Sequence, residues 1–310
     1  MISREKLSWI AADVRAKPAF SQLEEPVVLK EIDRELALSP KLVKLIERHA
    51  EHAKLRRAKL YKTLIRAVRA RLHRFFGAFE IDHAKREAMI AALEGLKDLE
   101  GHRKILSTHR STRERLQLYQ ELYPKLFALT GKPRSLLDLG CGLNPFSLPW
   151  MGFSEQELKE LRYYASDLSV VLCRQIEAYF AKLGVHGKAI PLDLREIEEV
   201  NVLTIFPHTD LCFLFKVLDL LEQRGHKLAE RLIKAIDADF VIASFSTRTL
   251  SGAPMAHPYR GWVERMSARL GWSVQLLALP GELFYIINKR GHSELERFFK
   301  EGGTLRMRTS

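Results

Sequence analysis

Cysteine is scarce in this sequence, and the three that occur, Cys141, Cys173 and Cys212, lie far apart. Their odd number and wide spacing exclude a disulfide framework and the paired spacing of a zinc site. Unpaired cysteines are typical of a protein in a reducing compartment, so we expect a cytoplasmic protein. We expect most of these thiols to be small buried apolar groups.

Long hydrophobic runs are missing as well. No stretch of about 18 apolar residues occurs, so no membrane-spanning helix is expected. Charged residues interrupt positions 1–10, which argues against a secretory signal. The apolar fraction of 46% is nevertheless that of a globular protein, and 310 residues allow one large domain or two smaller ones.

Acidic residues are outnumbered, since 38 Asp and Glu face 50 Lys and Arg, for a formal net charge of +12. A protein this basic often binds a polyanion. Residues 54–74 hold an uninterrupted basic run: Lys54, Arg56, Arg57, Lys59, Lys62, Arg66, Arg69, Arg71 and Arg74. Like charges on one helix face repel, so the run favours binding to nucleic-acid phosphates over an ordinary solvated face. A membrane surface is the weaker alternative, because the intervening apolar residues resemble a core stripe.

The first part of the chain, residues 1–106, is predicted to be helical, because apolar residues recur every three or four positions. Ser39 followed by Pro40 predicts a helix start. Residues 81–106 continue the helical pattern without proline. Ser111 or Thr112 is predicted to cap a further helix that runs to about residue 129 and stops at a Thr-Gly-Lys-Pro sequence.

The third glycine of a dinucleotide-binding fingerprint is absent from residues 135–147, SLLDLGCGLNPFS. A short apolar run leads there into Gly140, Cys141 and Gly142, which predicts a strand followed by a sharp turn. Two glycines separated by one residue allow a ligand to approach the backbone. The acid Asp138 ahead of them fits a loop for S-adenosylmethionine, and a plain glycine turn is the alternative.

After this loop, predicted strands and helices alternate, which indicates an α/β fold with a mostly parallel sheet. Strands are predicted at residues 161–166, 188–192, 210–217 and 239–245, and helices at 168–183 and 261–270. Two last strands, at 272–279 and 282–288, are compatible with an antiparallel hairpin that closes the sheet. A polar, basic tail follows, with a short helix expected at 293–300.

Polar residues follow several predicted strands, whose carboxyl ends share the sheet edge where ligands bind. Asp167 has about the spacing at which an acid takes ribose hydroxyls, since a carboxylate can accept two hydrogen bonds from a diol. Asp193 is suited to the amino group of adenine, although either acid can also cap a helix. Lys216 and Arg248 are expected to face the same crevice, although a lysine there can also reach the surface.

Five segments together resemble the aminoglycoside-resistance 16S ribosomal RNA methyltransferases that modify guanine N7 in the decoding site. They are HRSTRERL at 109–116, DLGCGLNP at 138–145, LFKVLDLLE at 214–222, SFSTRTL at 244–250 and ELFYII at 282–287. A weaker sixth segment is RLHRFFGAF at 71–79. The resemblance spans roughly residues 40–290. Departures such as Leu192, where a glutamine is frequent, and Ser246, where a proline is, make this a divergent member.

The resemblance implies a Rossmann-like methyltransferase domain at residues 107–290, a helical, basic rRNA-docking domain at 1–106 and a basic tail at 291–310. It implies methyl transfer from S-adenosylmethionine to N7 of a decoding-site guanosine, with S-adenosylhomocysteine as product and aminoglycoside resistance as outcome. The partner would be 16S rRNA in the 30S subunit, and a monomer without membrane or metal is expected. Methylation elsewhere on rRNA, such as adenine N1, and a non-catalytic ribosome-binding factor remain alternatives.

The same resemblance implies the site residues. Arg115 would contact the methionine carboxylate, although from its pattern alone it could equally be a surface charge. Lys216 and Arg248 would be the catalytic residues that engage RNA and place the base. The cofactor would be bound by His109, Arg115, Asp138, Gly140, Cys141, Gly142, Asn144, Asp167, Leu168, Leu192, Asp193 and Phe215. Tyr259 and Trp262 are candidates to stack on the target base, whereas the ring of Phe215 is expected to pack in the core.

Overall fold

A seven-stranded sheet forms the centre of the computed structural model, which describes residues 2–21, 23–76, 83–196, 205–221, 226–249 and 251–290. Its strands are β1 (Ser135–Leu139), β2 (Arg162–Asp167), β3 (His186–Pro191), β4 (Thr209–Phe215), β5 (Ala238–Ser246), β6 (Ser273–Leu279) and β7 (Glu282–Asn288). The order is β3-β2-β1-β4-β5-β7-β6; β1 to β5 are parallel, and β7 is antiparallel to both of its neighbours. The α/β fold and its closing hairpin are therefore confirmed.

The chain before the sheet is helical, as its apolar periodicity predicts. The helices are α1 (Arg4–Arg15), α2 (Glu25–Ala37), α3 (Pro40–Arg48), α4 (His52–Leu55), α5 (Lys59–Phe76), α6 (His83–Ala92) and α7 (Leu99–Ser107). The predicted start at Pro40 is confirmed. The helical pattern expected over 81–106 is divided between two helices, because the chain leaves the helix after Ala92. Asp98 then caps α7 by accepting a hydrogen bond from the N–H of Gly101.

Apolar side chains separate these helices into two groups. Helices α1–α5, which we call the helical module, share one core that includes Ile10, Val28 and Val68. Ile90 of α6 and Ile105 of α7 pack instead into the core on one face of the sheet. The periodicity showed which helix faces are buried but not what they pack against.

The segment before β1 contains α8 (Arg110–Arg115) and α9 (Tyr119–Thr130) rather than one helix. The predicted cap at Ser111 or Thr112 is wrong. The hydroxyl of Thr112 is buried and donates to the carbonyls of Leu106 and His109, at 2.6 and 3.0 Å. The stop after Thr130 is confirmed, because Gly131 ends α9 with a φ of 78°.

The remaining helices lie between the strands and cover both faces of the sheet. They are α10 (Glu155–Glu160), α11 (Val170–Leu183), α12 (Leu218–Leu221), α13 (Lys227–Ala235) and α14 (Gly261–Arg269), with a 3-10 helix at Asn144–Met151. In the described part of the chain, no helix combines the length and apolarity needed to cross a membrane. All three cysteines are buried, and the short helix expected at 293–300 lies outside the described residues.

Candidate active site

A cavity of about 330 Å³ lies at the carboxyl end of the parallel strands, lined by the loops that follow β1 to β5. The ends of α5 and α7 border it as well, through Arg74 and His109. The predicted cofactor residues that line it are His109, Arg115, Gly140, Cys141, Gly142, Asp167, Leu168, Leu192, Asp193 and Phe215. The predicted catalytic residues Lys216 and Arg248 line the same cavity. The structure therefore brings together most of the positions that sequence reasoning selected.

Asp138 and Asn144 lie behind the cavity wall and do not line it. Asn144 Nδ2 and the hydroxyl of Tyr163 both donate to Asp138 Oδ2, at 2.8 and 2.9 Å. Burial raises the pKa of Asp138 to about 6, which those two hydrogen bonds partly oppose. These residues support the loop after β1 from inside the protein.

The loop after β1 needs its glycines. Gly140 has a φ of 61° and Gly142 a φ of 51°, in the left-handed region that favours glycine. A Cβ on Gly140 would lie 2.5 Å from Val217 Cγ2, so a side chain there would force the loops after β1 and β4 apart. The N–H of Gly142 donates to Asp167 Oδ2 at 3.0 Å, which joins this loop to the end of β2.

Two acids lie at the ends of β2 and β3. Asp167 accepts hydrogen bonds from the N–H groups of Gly142 and Ser169, and burial raises its pKa. A carboxylate has about four lone-pair positions, so Asp167 keeps capacity to accept further hydrogen bonds. Asp193 is different: burial alone would raise its pKa, but hydrogen bonds and charge from Arg195, with the charge of Arg34, hold it well below its usual range.

A buried charge network forms the opposite wall. Arg115 is 1% exposed, and its Nε donates to both carboxylate oxygens of Glu282, at 3.1 and 3.0 Å. Its guanidinium carbon lies 4.9 Å from the centre of the Phe215 ring. Lys216 Nζ lies 2.8 Å from Glu114 Oε2 and 3.2 Å from Glu282 Oε2. Sequence reasoning missed the role of Glu282, whose only signal is an acid at the start of an apolar strand.

Lys216 has an unusual backbone. Among the described residues it is the non-glycine residue with a positive φ, 56°. Its N–H donates to the carbonyl and the hydroxyl of Ser244, at 3.1 and 3.0 Å. Such a conformation costs on the order of 1 kcal/mol and persists where the surroundings fix it. The turn directs the chain away from β4 at the cavity edge.

His109 and Arg248 lie at the two sides of the cavity. Burial, with the nearby positive charge of Arg115, lowers the pKa of His109 to about 3, so the imidazole is neutral at physiological pH. Arg248 is exposed, and its Nη1 donates to the carbonyl of Gly252 at 3.0 Å. A bridge between Arg248 and Pro254 closes this loop on itself. Arg248 therefore lies on the rim of the cavity, and the cavity walls do not depend on its side chain.

The basic run at 54–74 divides into paired and exposed cations. Arg69 donates to the carbonyls of Asp13 and Val14, and Arg71 Nε lies 2.8 Å from Glu35. Arg56 approaches Asp13 at 3.3 Å, Lys54 approaches Glu51 at 2.6 Å, and Arg74 donates to the carbonyl of Asp219 at 2.8 Å. The exposed cations that form no ion pair with a described residue are Arg57, Lys59, Lys62 and Arg66, which we call the basic face. Asp13 and Glu35, which pair with Arg56 and Arg71, are on neighbouring helices, and the run itself cannot show them.

The aromatic candidates differ in exposure. Phe215 is buried and stacks on Phe213 with ring centres 4.5 Å apart, so its expected core position is confirmed. Trp262 is half-buried and stacks on His226 at 4.6 Å. Tyr259 is 66% exposed, which leaves its ring available to a nucleobase.

Comparison with known proteins gives consistent matches. The sequence matches the family described as "Ribosomal RNA methyltransferase (FmrO)" over residues 37–286. A 16S rRNA (guanine(1405)-N(7))-methyltransferase of Micromonospora echinospora is 30% identical over 237 residues, which cover 70% of this chain and 80% of the relative. One of Proteus mirabilis is 28% identical over 247 residues, 74% of this chain and 85% of the relative. The crystal structure of 16S rRNA methyltransferase RmtF with S-adenosyl-L-homocysteine is 25% identical, with a TM-score of 0.65 over 93% of this chain and 99% of that one.

Proposed function

This chain belongs to the FmrO family of ribosomal RNA methyltransferases, and from that membership we propose that it methylates N7 of guanosine 1405 in 16S rRNA, as its relatives are named to do. The methyl donor is S-adenosylmethionine. The observation that carries the proposal is the cavity in which the glycine loop, Asp167, Lys216 and Arg248 meet. The sequence alone predicts a role for each of these groups in this chemistry.

The cavity fits the cofactor. Gly140 lacks the Cβ that would collide with Val217, so the loops after β1 and β4 can pack together at the cavity. Asp167 keeps acceptor capacity for the two hydroxyls of a ribose. Arg115 is held by Glu282 and Asn144 at the cavity wall, and we place the methionine carboxylate against its guanidinium.

The reaction needs positioning more than proton transfer. S-adenosylmethionine supplies a methyl group on a sulfonium, and displacement by N7 breaks the sulfur–carbon bond while the nitrogen–carbon bond forms. Guanine N7 carries an in-plane lone pair and no proton, so no general base is required. The protein must hold the target guanine outside its base stack and in line with the methyl donor. Lys216 and Arg248 are suited to this task, since lysine and arginine bind phosphates and guanine O6.

Docking on the ribosome is the task that we assign to the helical part of the chain. We propose that the basic face contacts phosphates of 16S rRNA in the assembled 30S subunit, and that the protein acts in the cytoplasm as a monomer. Tyr259, exposed near the rim, is our candidate to stack on the flipped base. Aminoglycoside resistance would follow from the modified guanosine. The division into residues 1–106, 107–290 and 291–310 remains a prediction.

Mapping the methylated base tests the activity. Purified 30S subunits are incubated with labelled S-adenosylmethionine and this protein, and the modified nucleotide is located by reduction-induced strand cleavage. Cleavage at guanosine 1405 is expected. Incorporation without cleavage there, and a reverse-transcriptase stop at a decoding-site adenine instead, would establish the adenine N1 alternative. No incorporation into 30S subunits would contradict the proposal outright.

Arg248→Ala tests the role of the rim arginine. We expect methyl transfer to fall by about 100-fold or more, because a group that places the base acts on the transition state. Affinity for S-adenosylhomocysteine, measured by calorimetry, should be unchanged, since among the described residues the side chain bonds only within its own loop. Arg269→Ala, on the exposed side of α14, is the matched control and should retain full activity. Loss of cofactor binding in Arg248→Ala would show that the assigned role is wrong.

A further inference from the structure

The helical module holds the loop that carries Asp167. Glu24, at the start of α2, accepts hydrogen bonds from the hydroxyl of Ser169 and from the N–H of Val171, both at 2.9 Å. Leu168 packs against the core of the module and also lines the cavity. The loop after β2 is therefore fastened to a part of the chain far away in sequence.

The contact after β3 involves charged side chains of both parts of the chain. Arg34 of α2 donates from Nη2 to Asp193 Oδ2 at 3.0 Å and from Nη1 to Glu31 Oε1 at 2.6 Å. Arg195 bridges the same two acids, reaching Asp193 Oδ1 at 2.8 Å and Glu31 Oε1 at 2.7 Å. Glu31 is 1% exposed. Two arginines and two acids, one of each from the helical module, thus form an ion-pair network beside the cavity. Lys30 of α2 also approaches Asp193 Oδ2, at 3.3 Å, and Arg34 also reaches Glu196 Oε1, at 2.7 Å.

Such a network is rigid for a physical reason. Removing one partner of a largely buried ion-pair network leaves the remaining charges less well compensated, which is unfavourable, so the side chains hold one another in place. The planar guanidinium of Arg34 contacts both acids at once, which an ammonium cannot do with the same geometry. The orientation of Asp193 at the cavity wall consequently depends on α2 as well as on its own loop.

We propose that Arg34 is a positioning residue for cofactor binding, through which the helical module completes the adenosine half of the pocket. It acts by holding the Asp193 carboxylate at the wall of the cavity. The inference rests on the proposed function and on the sequence-based expectation that adenine binds beside Asp193. On this view the helical module contributes to cofactor binding as well as to RNA binding, and its removal would weaken the binding of both.

Calorimetry with S-adenosylhomocysteine, in the absence of RNA, tests the proposal on the full chain. We expect Arg34→Ala to weaken binding about tenfold, which corresponds to about 1.4 kcal/mol. Arg34→Lys should recover part of the loss, since it restores the charge but not the two-sided contact. Asp33→Ala is the matched control, because Asp33 is exposed on the same helix. Its affinity should equal that of the wild type, and unchanged affinity in Arg34→Ala would overturn the proposal.

A double-mutant cycle separates positioning from a general loss of structure. In an Asp193→Asn background, Arg34→Ala should have little further effect on affinity if it acts through Asp193. Additive losses would overturn the proposal. Repeating the cycle with Arg34→Lys, which keeps the buried charge balanced, covers the case in which the alanine variant does not fold. A wild-type protein that fails to bind S-adenosylhomocysteine would contradict the proposed function itself, whereas wild-type binding with an additive cycle would contradict only this inference.

Discussion

The cavity and the basic face are both rich in charge, but the charges are arranged in opposite ways. At the cavity, Arg115 and Lys216 meet Glu282 within the protein. On the basic face, Lys62 and Arg66 form no ion pair with a described residue. Internal pairing fixes side chains before a ligand arrives, whereas exposed cations keep their charge available to an external anion.

The two arrangements predict different responses to salt and to substitution. Buried pairs are screened weakly by salt and contribute to the integrity of the fold. Exposed cations contribute little to stability, but their contacts with phosphates weaken steeply as salt rises. Substitutions at the cavity should therefore change the free energy of unfolding, and those on the basic face should change RNA affinity alone.

The largest effect is expected from Arg115→Met. The substitution removes the main partner of the buried Glu282 carboxylate, so the free energy of unfolding should fall by about 3 kcal/mol or more. Urea denaturation followed by circular dichroism measures it. Arg66→Met, on the basic face, is the matched control and should change stability by less than about 0.5 kcal/mol. Equal losses of stability in the two variants would show that the cavity and the basic face do not differ in this way.

A smaller effect, of the opposite kind, is expected from the double substitution Lys62→Ala and Arg66→Ala. Losing two phosphate contacts should weaken binding to 30S subunits by about 20-fold near physiological salt and should lower the slope of log affinity against log salt by about 2. Binding measured over a salt series shows both. Alanines at Arg265 and Arg269, exposed on α14, form the control pair. A slope that does not change would mean that the basic face does not contact phosphates.

The smallest effect concerns pH and the neutral imidazole of His109. Its folded pKa of about 3 lies below the ordinary value of 6.5, so protons bind the unfolded chain preferentially. The stabilising contribution is complete above about pH 6.5 and is lost as the pH falls from there toward 3. From pH 8 to pH 6 the wild type should lose about 1 kcal/mol more than His109→Gln does. Unfolding in urea at both pH values measures this difference, and parallel losses would show that His109 is not buried as a neutral group.

Many of the cavity-lining residues could be predicted from local sequence patterns. Asp167, Asp193, Lys216 and Arg248 each come directly after an apolar strand, or shortly after it, and all four line the cavity. Strand ends are predictable because parallel strands in an open sheet point their carboxyl ends to the same edge. The role of Gly140 could also be predicted from the sequence, since a glycine before a sharp turn indicates close approach of the backbone.

The charge pairings could not be predicted in this way. Arg115 and Glu282 are 167 residues apart, and no local periodicity relates them. Arg71 belongs to an uninterrupted basic run, yet its partner Glu35 comes from another helix of the module. Pairings of this kind depend on how helices pack, which amphipathic patterns leave open. The run alone therefore does not show which of its cations pair with acids of the protein and which remain exposed.

The burial of Cys141, Cys173 and Cys212 offers an experimental advantage. Burial raises the pKa of each thiol, so none presents a reactive thiolate to solvent. A cysteine introduced at an exposed position, such as Asp33→Cys or Arg269→Cys, would therefore be alkylated far faster than the native ones. Fluorescent dyes can then be attached site by site without first replacing any native cysteine. The distance between the helical module and the sheet could be followed in solution on the otherwise unaltered enzyme.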